Sequence, residues 1–189
     1  MQIGASDPNA MTSAQKAVFD AIASGPRGDV PRPFLAMLDS PVLADAIQGV
    51  GAAIRFSGAL PADLREVAIL AAAAAYGSGY EWDYHEPIGR REGLGDAVIE
   101  AARSGDVAAL DPVDPAAAII VFCHRAIAGN VADAAALAHL STTLGRGAAT
   151  DVVAIAGYYP LLALFLAAAN LDHPVPNPGI GAATPLERS

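Results

Sequence analysis

The chain has 189 residues, and a hydrophobic fraction of 53% is ample for one domain with a substantial core. Its formal net charge of −9 excludes a broad basic surface that would follow a nucleic-acid backbone. Charged residues make up only 16% of the sequence, against about 25% in typical globular proteins. This shortage of surface charge predicts a homo-oligomer. The single cysteine, Cys123, excludes an intrachain disulfide framework and a CxxC redox pair.

Helical spacing of apolar residues runs along the whole chain and predicts an all-α fold with one domain over residues 13–172. Residues 1–12 and 173–189 are predicted to be flexible arms. The N-terminal segment has neither the basic nor the apolar region of a signal peptide, so we expect a cytoplasmic protein. The predicted helices cover 13–24, 41–56, 61–77, 95–103, 114–128, 133–144 and 148–169, with one more that follows Gly79 and ends at Gly93.

The last predicted helix contains an uncharged stretch, residues 152–169, that is about long enough to approach a membrane span. Pro160 lies in its middle beside two tyrosines, and no basic residue flanks either end. We therefore expect a helix buried in the core or in an oligomer interface, and a soluble protein with no membrane partner.

Most of the side chains with chemical interest lie in residues 80–87, YEWDYHEP. Glu81 and His85 are four positions apart, so they share one face of a helix, and Trp82 adjoins that face. Glu66 lies upstream among apolar residues of the preceding helix. A glutamate and a histidine that meet in such surroundings can transfer a proton near neutral pH.

Each of these residues also has a structural interpretation. Asp63 and Glu66 have the D-x-x-E spacing of a capping box, although Pro61 indicates an earlier start and places Glu66 inside the helix. His85 is also compatible with a structural histidine whose hydrogen bonds are satisfied, and Trp82 with a core residue. Spacing alone leaves these alternatives open.

Glu66, Glu81 and His85 offer two carboxylates and one imidazole, a set of ligands that suits a divalent ion. The sequence contains neither an H-E-x-x-H motif nor paired Glu-x-x-His motifs. We therefore predict no metal and no cofactor.

Residues 64–94 resemble the signature of the carboxymuconolactone decarboxylase family, which is related to alkylhydroperoxidase D. That signature is a glutamate in one helix followed by E-W-x-x-H and G-L, present here as Glu66, residues 81–85 and residues 93–94. The likeness extends to the flanking apolar segments, so it covers most of the chain. It implies a compact all-helical fold that assembles as trimers or hexamers, with sites near subunit interfaces.

In the peroxidase branch of this family, the resemblance implies a glutamate, a C-x-x-C pair and a histidine four residues beyond the second cysteine. Here Glu66 and His85 match the acid and the histidine, whereas Ser78 and Glu81 occupy the cysteine positions. Without a thiolate at either position, thiol peroxidase chemistry cannot run through this site. Residual peroxidase-type activity is a third functional option, and Cys123 is predicted to be a small buried hydrophobe.

The decarboxylase branch implies acid–base chemistry on a small organic acid or lactone. We predict a cofactor-free lyase or isomerase in which Glu66 and His85 transfer a proton and Arg55 binds the substrate carboxylate. The other predicted substrate-binding residues are Ser78, Tyr80, Glu81 and Trp82, with Tyr80 and Trp82 as pocket walls. The alternative is a non-catalytic protein of the same fold that binds a small molecule or a partner.

Overall fold

The computed structural model describes residues 3–4 and 8–176, and the regular structure of this part is helical with no strand. The predicted all-α fold is confirmed. After a short 3-10 turn at Pro8–Ala10, the helices are α1 Ser13–Ala23, α2 Arg32–Met37, α3 Pro41–Phe56, α4 Ala62–Tyr76, α5 Gly79–Arg91, α6 Asp96–Ser104, α7 Pro115–Ala128, α8 Ala134–Thr143 and α9 Gly145–Ala168.

Helix α4 forms the centre of the domain and packs against α5, α6, α7 and α9. Every residue from Glu66 to Ala73 is buried, and the alanines among them allow the surrounding helices to approach closely. A polar group in this buried stretch cannot reach water, so it must find its partner inside the protein. Glu66 is the charged residue to which this applies.

The turn between α4 and α5 determines where the motif helix begins. Gly77 ends α4 with φ 91°, a left-handed conformation that glycine adopts without steric penalty. The Ser78 hydroxyl then accepts a hydrogen bond from the Glu81 amide at 3.4 Å and caps α5. As a result α5 folds back against α4, and its first two turns pass beside Glu66.

A C-terminal strap, residues 171–176, crosses the start of α5. The Gly79 amide donates to the His173 carbonyl at 2.7 Å, and Asp172 accepts from the Tyr80 amide at 3.0 Å. A Cβ on Gly79 would lie 2.4 Å from the His173 carbonyl oxygen, so this approach needs glycine. The first residues of the predicted C-terminal arm thus pack on the domain. Residues 1–2, 5–7 and 177–189 of the predicted arms lie outside the described residues.

Helix α9 lies along α3, α4, α7 and α8. It is long and apolar enough to cross a membrane by length and composition, with a mean hydropathy of 1.8. One side of it is buried in the domain, as in a core helix, and Val153, Leu161 and Leu164 are exposed on the other side. The predicted homo-oligomer, for which such a surface is suited, stays a prediction.

Helix α3 meets α9 through a glycine. The Tyr158 hydroxyl donates to the Ile47 carbonyl at 3.0 Å. A Cβ on Gly51 would lie only 2.2 Å from the same hydroxyl oxygen, so α3 and Tyr158 can approach this closely because position 51 has no side chain. This contact sets one wall of the pocket described below.

Candidate active site

Glu66 and His85 form a buried hydrogen bond. Nδ1 of His85 lies 2.7 Å from Oε2 of Glu66, and the two residues are only 2% and 1% exposed. Burial lowers the pKa of His85, an effect that the hydrogen bond and charge of Glu66 oppose. The imidazole is therefore neutral at neutral pH. We assign its proton to Nδ1, which donates it to Glu66, so that Nε2 carries a lone pair that can accept a proton.

Two further side chains approach Nε2 of His85. The Tyr159 hydroxyl lies 3.3 Å away, and Oε2 of Glu81 lies 3.9 Å away. The Tyr159 and His85 rings meet edge to face with centroids 5.3 Å apart. Helices α5 and α9 thus bring an imidazole, a phenol and a carboxyl group to one point.

Glu81 is buried without a full set of partners. It is 3% exposed, and within the described part of the chain its Oε1 has no hydrogen-bond partner. Burial, together with the nearby charge of Asp172, raises the pKa of Glu81 to about 8, while Arg55 opposes the shift. The group is therefore a neutral carboxylic acid at neutral pH. A neutral Glu81 does not repel an anionic substrate, whereas a charged one would.

A pocket with about 340 Å³ of empty space, part of it open to solvent, lies over these groups. The wall is mainly aromatic and apolar, with two arginines. The lining residues are Arg27, Pro31, Pro33, Phe34, Gly51, Arg55, Tyr80, Glu81, Tyr84, His85, Tyr158, Tyr159 and Leu162.

The two arginines differ in their partners. The Arg27 guanidinium donates to the side chain and the carbonyl of Gln48 at 3.3 and 3.2 Å. Arg55 makes no hydrogen bond or ion pair with any residue that the structure describes. Its guanidinium instead lies 5.4 Å from the Phe56 ring centroid and 5.7 Å from that of Tyr84. Arg55 is thus the cation of the pocket that is available to an anionic ligand.

Two residues predicted to bind substrate do not line the pocket. Trp82 points to another side of α5, where its indole N–H donates to Glu86 at 2.7 Å and Arg103 lies 4.1 Å above its ring. The prediction that Trp82 walls the pocket is therefore corrected, since adjacent residues of a helix face directions about 100° apart. Ser78 is buried but serves as the cap of α5.

Sequence reasoning did not include Tyr159, which contacts His85 across 74 positions of the chain. A signal was present, because a tyrosine inside an uncharged helix needs a partner for its hydroxyl when it is buried. The sequence did not identify that partner. Arg27, in the loop before α2, was also missed and carries no comparable signal.

The two carboxylates that could join His85 as metal ligands flank its ring and do not meet it at a common point. Glu66 lies at Nδ1 of His85 and Glu81 lies near Nε2, so the two carboxylates approach opposite ring nitrogens. No cluster of three or more His, Cys, Asp or Glu side chains suited to a metal occurs among the residues described.

The sequence profile of the Carboxymuconolactone decarboxylase family matches residues 41–122. Over this segment the chain is similar to the carboxymuconolactone decarboxylase family. The matched part runs from the start of α3 into α7 and contains Glu66, Glu81 and His85, whereas Tyr159 lies outside it. A search of curated proteins gave no match.

The single cysteine of the chain, Cys123, lies in an environment that makes its thiol unreactive. Cys123 is fully buried in α7, and its thiol lies 3.7 Å from the Ala68 carbonyl oxygen. Burial raises the pKa of this thiol to about 12, so almost none of it is thiolate at neutral pH. Cys123 is therefore the small buried apolar residue that the sequence predicted.

Proposed function

We propose that the protein is a cofactor-free enzyme that moves a proton on a small organic acid or lactone, as a lyase or an isomerase. One observation carries this proposal, namely that a buried 2.7 Å hydrogen bond fixes His85 Nδ1 on Glu66. This bond leaves the other ring nitrogen, Nε2, available to the pocket that His85 lines. A neutral imidazole held by a carboxylate is suited to general acid–base catalysis.

The chemistry follows from these roles. In an isomerisation, Nε2 of His85 takes a proton from the carbon beside a carbonyl group, and the C–H electron pair enters the enolate. The imidazolium, stabilised by Glu66, then returns the proton to another carbon of the conjugated system. In a decarboxylation, the electron pair of the breaking C–C bond enters the enolate as carbon dioxide leaves, and the enolate carbon takes up a proton from the site.

Arg55 supports an acidic substrate. The protein carries a net charge of −9, so an anion must be attracted by a local cation and not by the field of the whole molecule. Arg55 lines the pocket beside Glu81 and His85. Its guanidinium can bind a carboxylate through two parallel hydrogen bonds.

Thiol peroxidase chemistry has less support. Such a reaction needs a reactive thiolate, and the single cysteine of the chain is buried in α7 with a raised pKa. Ser78 and Glu81, at the positions that the resemblance assigns to cysteines, supply no thiol. We therefore favour proton transfer. The homo-oligomer and the cytoplasmic location remain predictions beside it.

The experiment incubates the protein in D2O with a panel of lactones and conjugated carboxylic acids and follows deuterium incorporation at carbon by NMR. His85→Asn is the decisive variant, because the asparagine amide nitrogen takes the place of Nδ1 and still donates to Glu66, while Nε2 is removed. We expect a loss of about 100-fold or more in exchange. His124→Asn is the matched control, since that ring contacts the Ala102 carbonyl away from the pocket.

The outcomes separate the functional classes. Exchange by His85→Asn at the wild-type rate would contradict the proposal. A wild-type protein that binds members of the panel but exchanges no deuterium and releases no carbon dioxide would instead be a non-catalytic binding protein.

A further inference from the structure

We infer that Glu81 and Tyr159 form an oxyanion site, in which two O–H groups bind the carbonyl oxygen of the substrate while His85 moves the proton. The inference rests on the proposed function and narrows the substrate to an enolisable carbonyl compound. Donors placed where negative charge develops stabilise an enolate strongly in a site from which water is excluded.

Glu81 supplies the first donor. Its carboxyl group lines the pocket, is 3% exposed and has an oxygen, Oε1, without a partner among the residues that are described. The neutral acid carries one O–H, which needs an acceptor when it is buried. A carbonyl or enolate oxygen of a bound ligand would be that acceptor.

Tyr159 is distinguished from the other tyrosines of the pocket by the state of its hydroxyl. The Tyr158 hydroxyl already donates to the Ile47 carbonyl, and the Tyr80 hydroxyl accepts from the Arg32 amide at the edge of the pocket. Tyr84 is 37% exposed. Tyr159 is buried, and its hydroxyl contacts Nε2 of His85.

The contact between Tyr159 and His85 couples the second donor to the reaction. With the His85 proton on Nδ1, the Tyr159 O–H donates to the lone pair of Nε2. Once Nε2 takes the substrate proton it has no lone pair to accept with, so the Tyr159 hydrogen needs a new acceptor. The enolate oxygen forms in the same step and can be that acceptor. The hydroxyl oxygen then accepts from Nε2–H.

The charge states of both donors fit this role. Burial holds the pKa of Tyr159 well above its usual value, so the group stays a phenol at neutral pH. Glu81 stays a carboxylic acid for the same reason. A neutral carboxyl group beside a tyrosine hydroxyl is an established way to stabilise an enolate. Arg27 and Arg55 in the pocket wall add positive charge near the oxyanion.

The test uses 4-nitrophenol, a planar mimic of an enolate whose anion absorbs at longer wavelength than the neutral form. Wild-type protein should bind it saturably as the anion, with the phenol proton taken up by Nε2 of His85 so that the Tyr159 hydrogen is available to the phenolate oxygen. Tyr159→Phe should weaken binding about 10- to 100-fold, because it removes a hydrogen bond to a charged oxygen. Tyr158→Phe is the matched control and should change binding by less than about threefold, since that hydroxyl is already used by Ile47.

Glu81 is tested with two variants of similar size. Glu81→Gln keeps an N–H donor at the site and should bind 4-nitrophenolate within about threefold of wild type. Glu81→Leu removes the donor and should weaken binding about 10-fold or more. Tighter binding by Glu81→Leu would mean that a charged carboxylate had been repelling the anion, and it would overturn the inference.

Two other results would also overturn it, namely equal binding by Tyr159→Phe and Tyr158→Phe, or no saturable binding of the anion by wild type. These experiments measure binding without turnover. Their failure is therefore separate from a failure of the deuterium-exchange experiment, which tests proton transfer itself.

Discussion

The Glu66 carboxylate accepts a 2.7 Å hydrogen bond from His85, although the two residues belong to different helices and are 19 positions apart. Both side chains are almost completely buried. Because water cannot compete for either group, the carboxylate fixes which ring nitrogen carries the proton. The other nitrogen faces the pocket, and the chemistry of the site depends on this assignment.

Glu66→Gln should lower deuterium exchange by about 100- to 10,000-fold. The glutamine has nearly the same shape, but it removes the negative charge that stabilises the imidazolium. Its amide can also donate to Nδ1 and so favour the wrong tautomer of His85. The exchange rate in D2O is the measurement, with the thermal unfolding midpoint recorded for each variant.

Glu92→Gln makes the same chemical change at an exposed residue at the end of α5 and serves as the control. It should leave the exchange rate unaltered. If Glu66→Gln keeps full activity, Glu66 is structural, and the proton-transfer role assigned to it is wrong.

The unfolding free energy should fall as pH rises from 6.5 to about 8. The folded protein keeps a proton on Glu81, whose pKa is raised to about 8 from 4.5, whereas the unfolded chain has already lost this proton throughout the range. The slope contributed by one such proton is at most about 1.4 kcal/mol per pH unit. Urea denaturation at several pH values measures it.

Below pH 6.5 His85 makes the unfolding free energy rise with pH. Its pKa is lowered in the folded state, so the unfolded state binds a proton that the folded state does not. Half of the unfolded rings are still protonated at pH 6.5, and the ring is neutral in both states only above about pH 7.5, so the range from about pH 7.5 to 8 isolates Glu81. Glu81→Gln should have a flatter profile there. Parallel profiles for the variant and wild type would show that Glu81 is ionised in the folded protein.

Two glycines of α3 should respond oppositely to alanine. In Gly51→Ala the new Cβ would lie 2.2 Å from the Tyr158 hydroxyl and 2.8 Å from an Arg27 nitrogen. These side chains must move, so we expect a loss of about 1–3 kcal/mol in stability and weaker binding of 4-nitrophenolate. Gly49→Ala meets no atom within 4 Å and should gain up to about 1 kcal/mol from helix propensity. Equal effects in chemical denaturation would argue against the tight α3–α9 contact.

Cys123 should be unreactive in the native protein. A disulfide reagent should modify it only at the rate at which the protein opens, because the thiol is fully buried and its pKa is about 12. Cys123→Ala should keep the deuterium-exchange rate within about twofold. Rapid labelling without denaturant, or loss of exchange on labelling of folded protein, would contradict this and reopen a thiol-based mechanism.

The sequence predicted the contacts that depend on regular helix geometry. Glu81 and His85 share a face because they are four positions apart, and the two lie on one side of α5 in the structure. The same geometry places Trp82 on another side, where it pairs with Glu86 and Arg103. A position next to the Glu81–His85 face of a helix therefore does not predict that an aromatic residue lines the pocket.

The sequence did not predict contacts between helices that are far apart along the chain. Tyr159 reaches His85 only because α9 packs against α4 and α5, and no local pattern encodes that register. The charge state of Glu81 was also undetermined. The sequence around a glutamate in the first turn of a helix does not show whether the side chain faces solvent or a pocket. Its pKa depends on that burial.

Glu81 lies in the first turn of α5, where the helix dipole and the Ser78 cap favour a negative charge, while burial favours the neutral acid. The balance therefore depends on the amount of water in the pocket. A ligand that displaces this water strengthens the preference for the neutral acid and draws a proton from solution. Near pH 8, substrate binding is therefore coupled to proton uptake. Because the buffer supplies that proton, the measured heat of binding should depend on the ionisation enthalpy of the buffer.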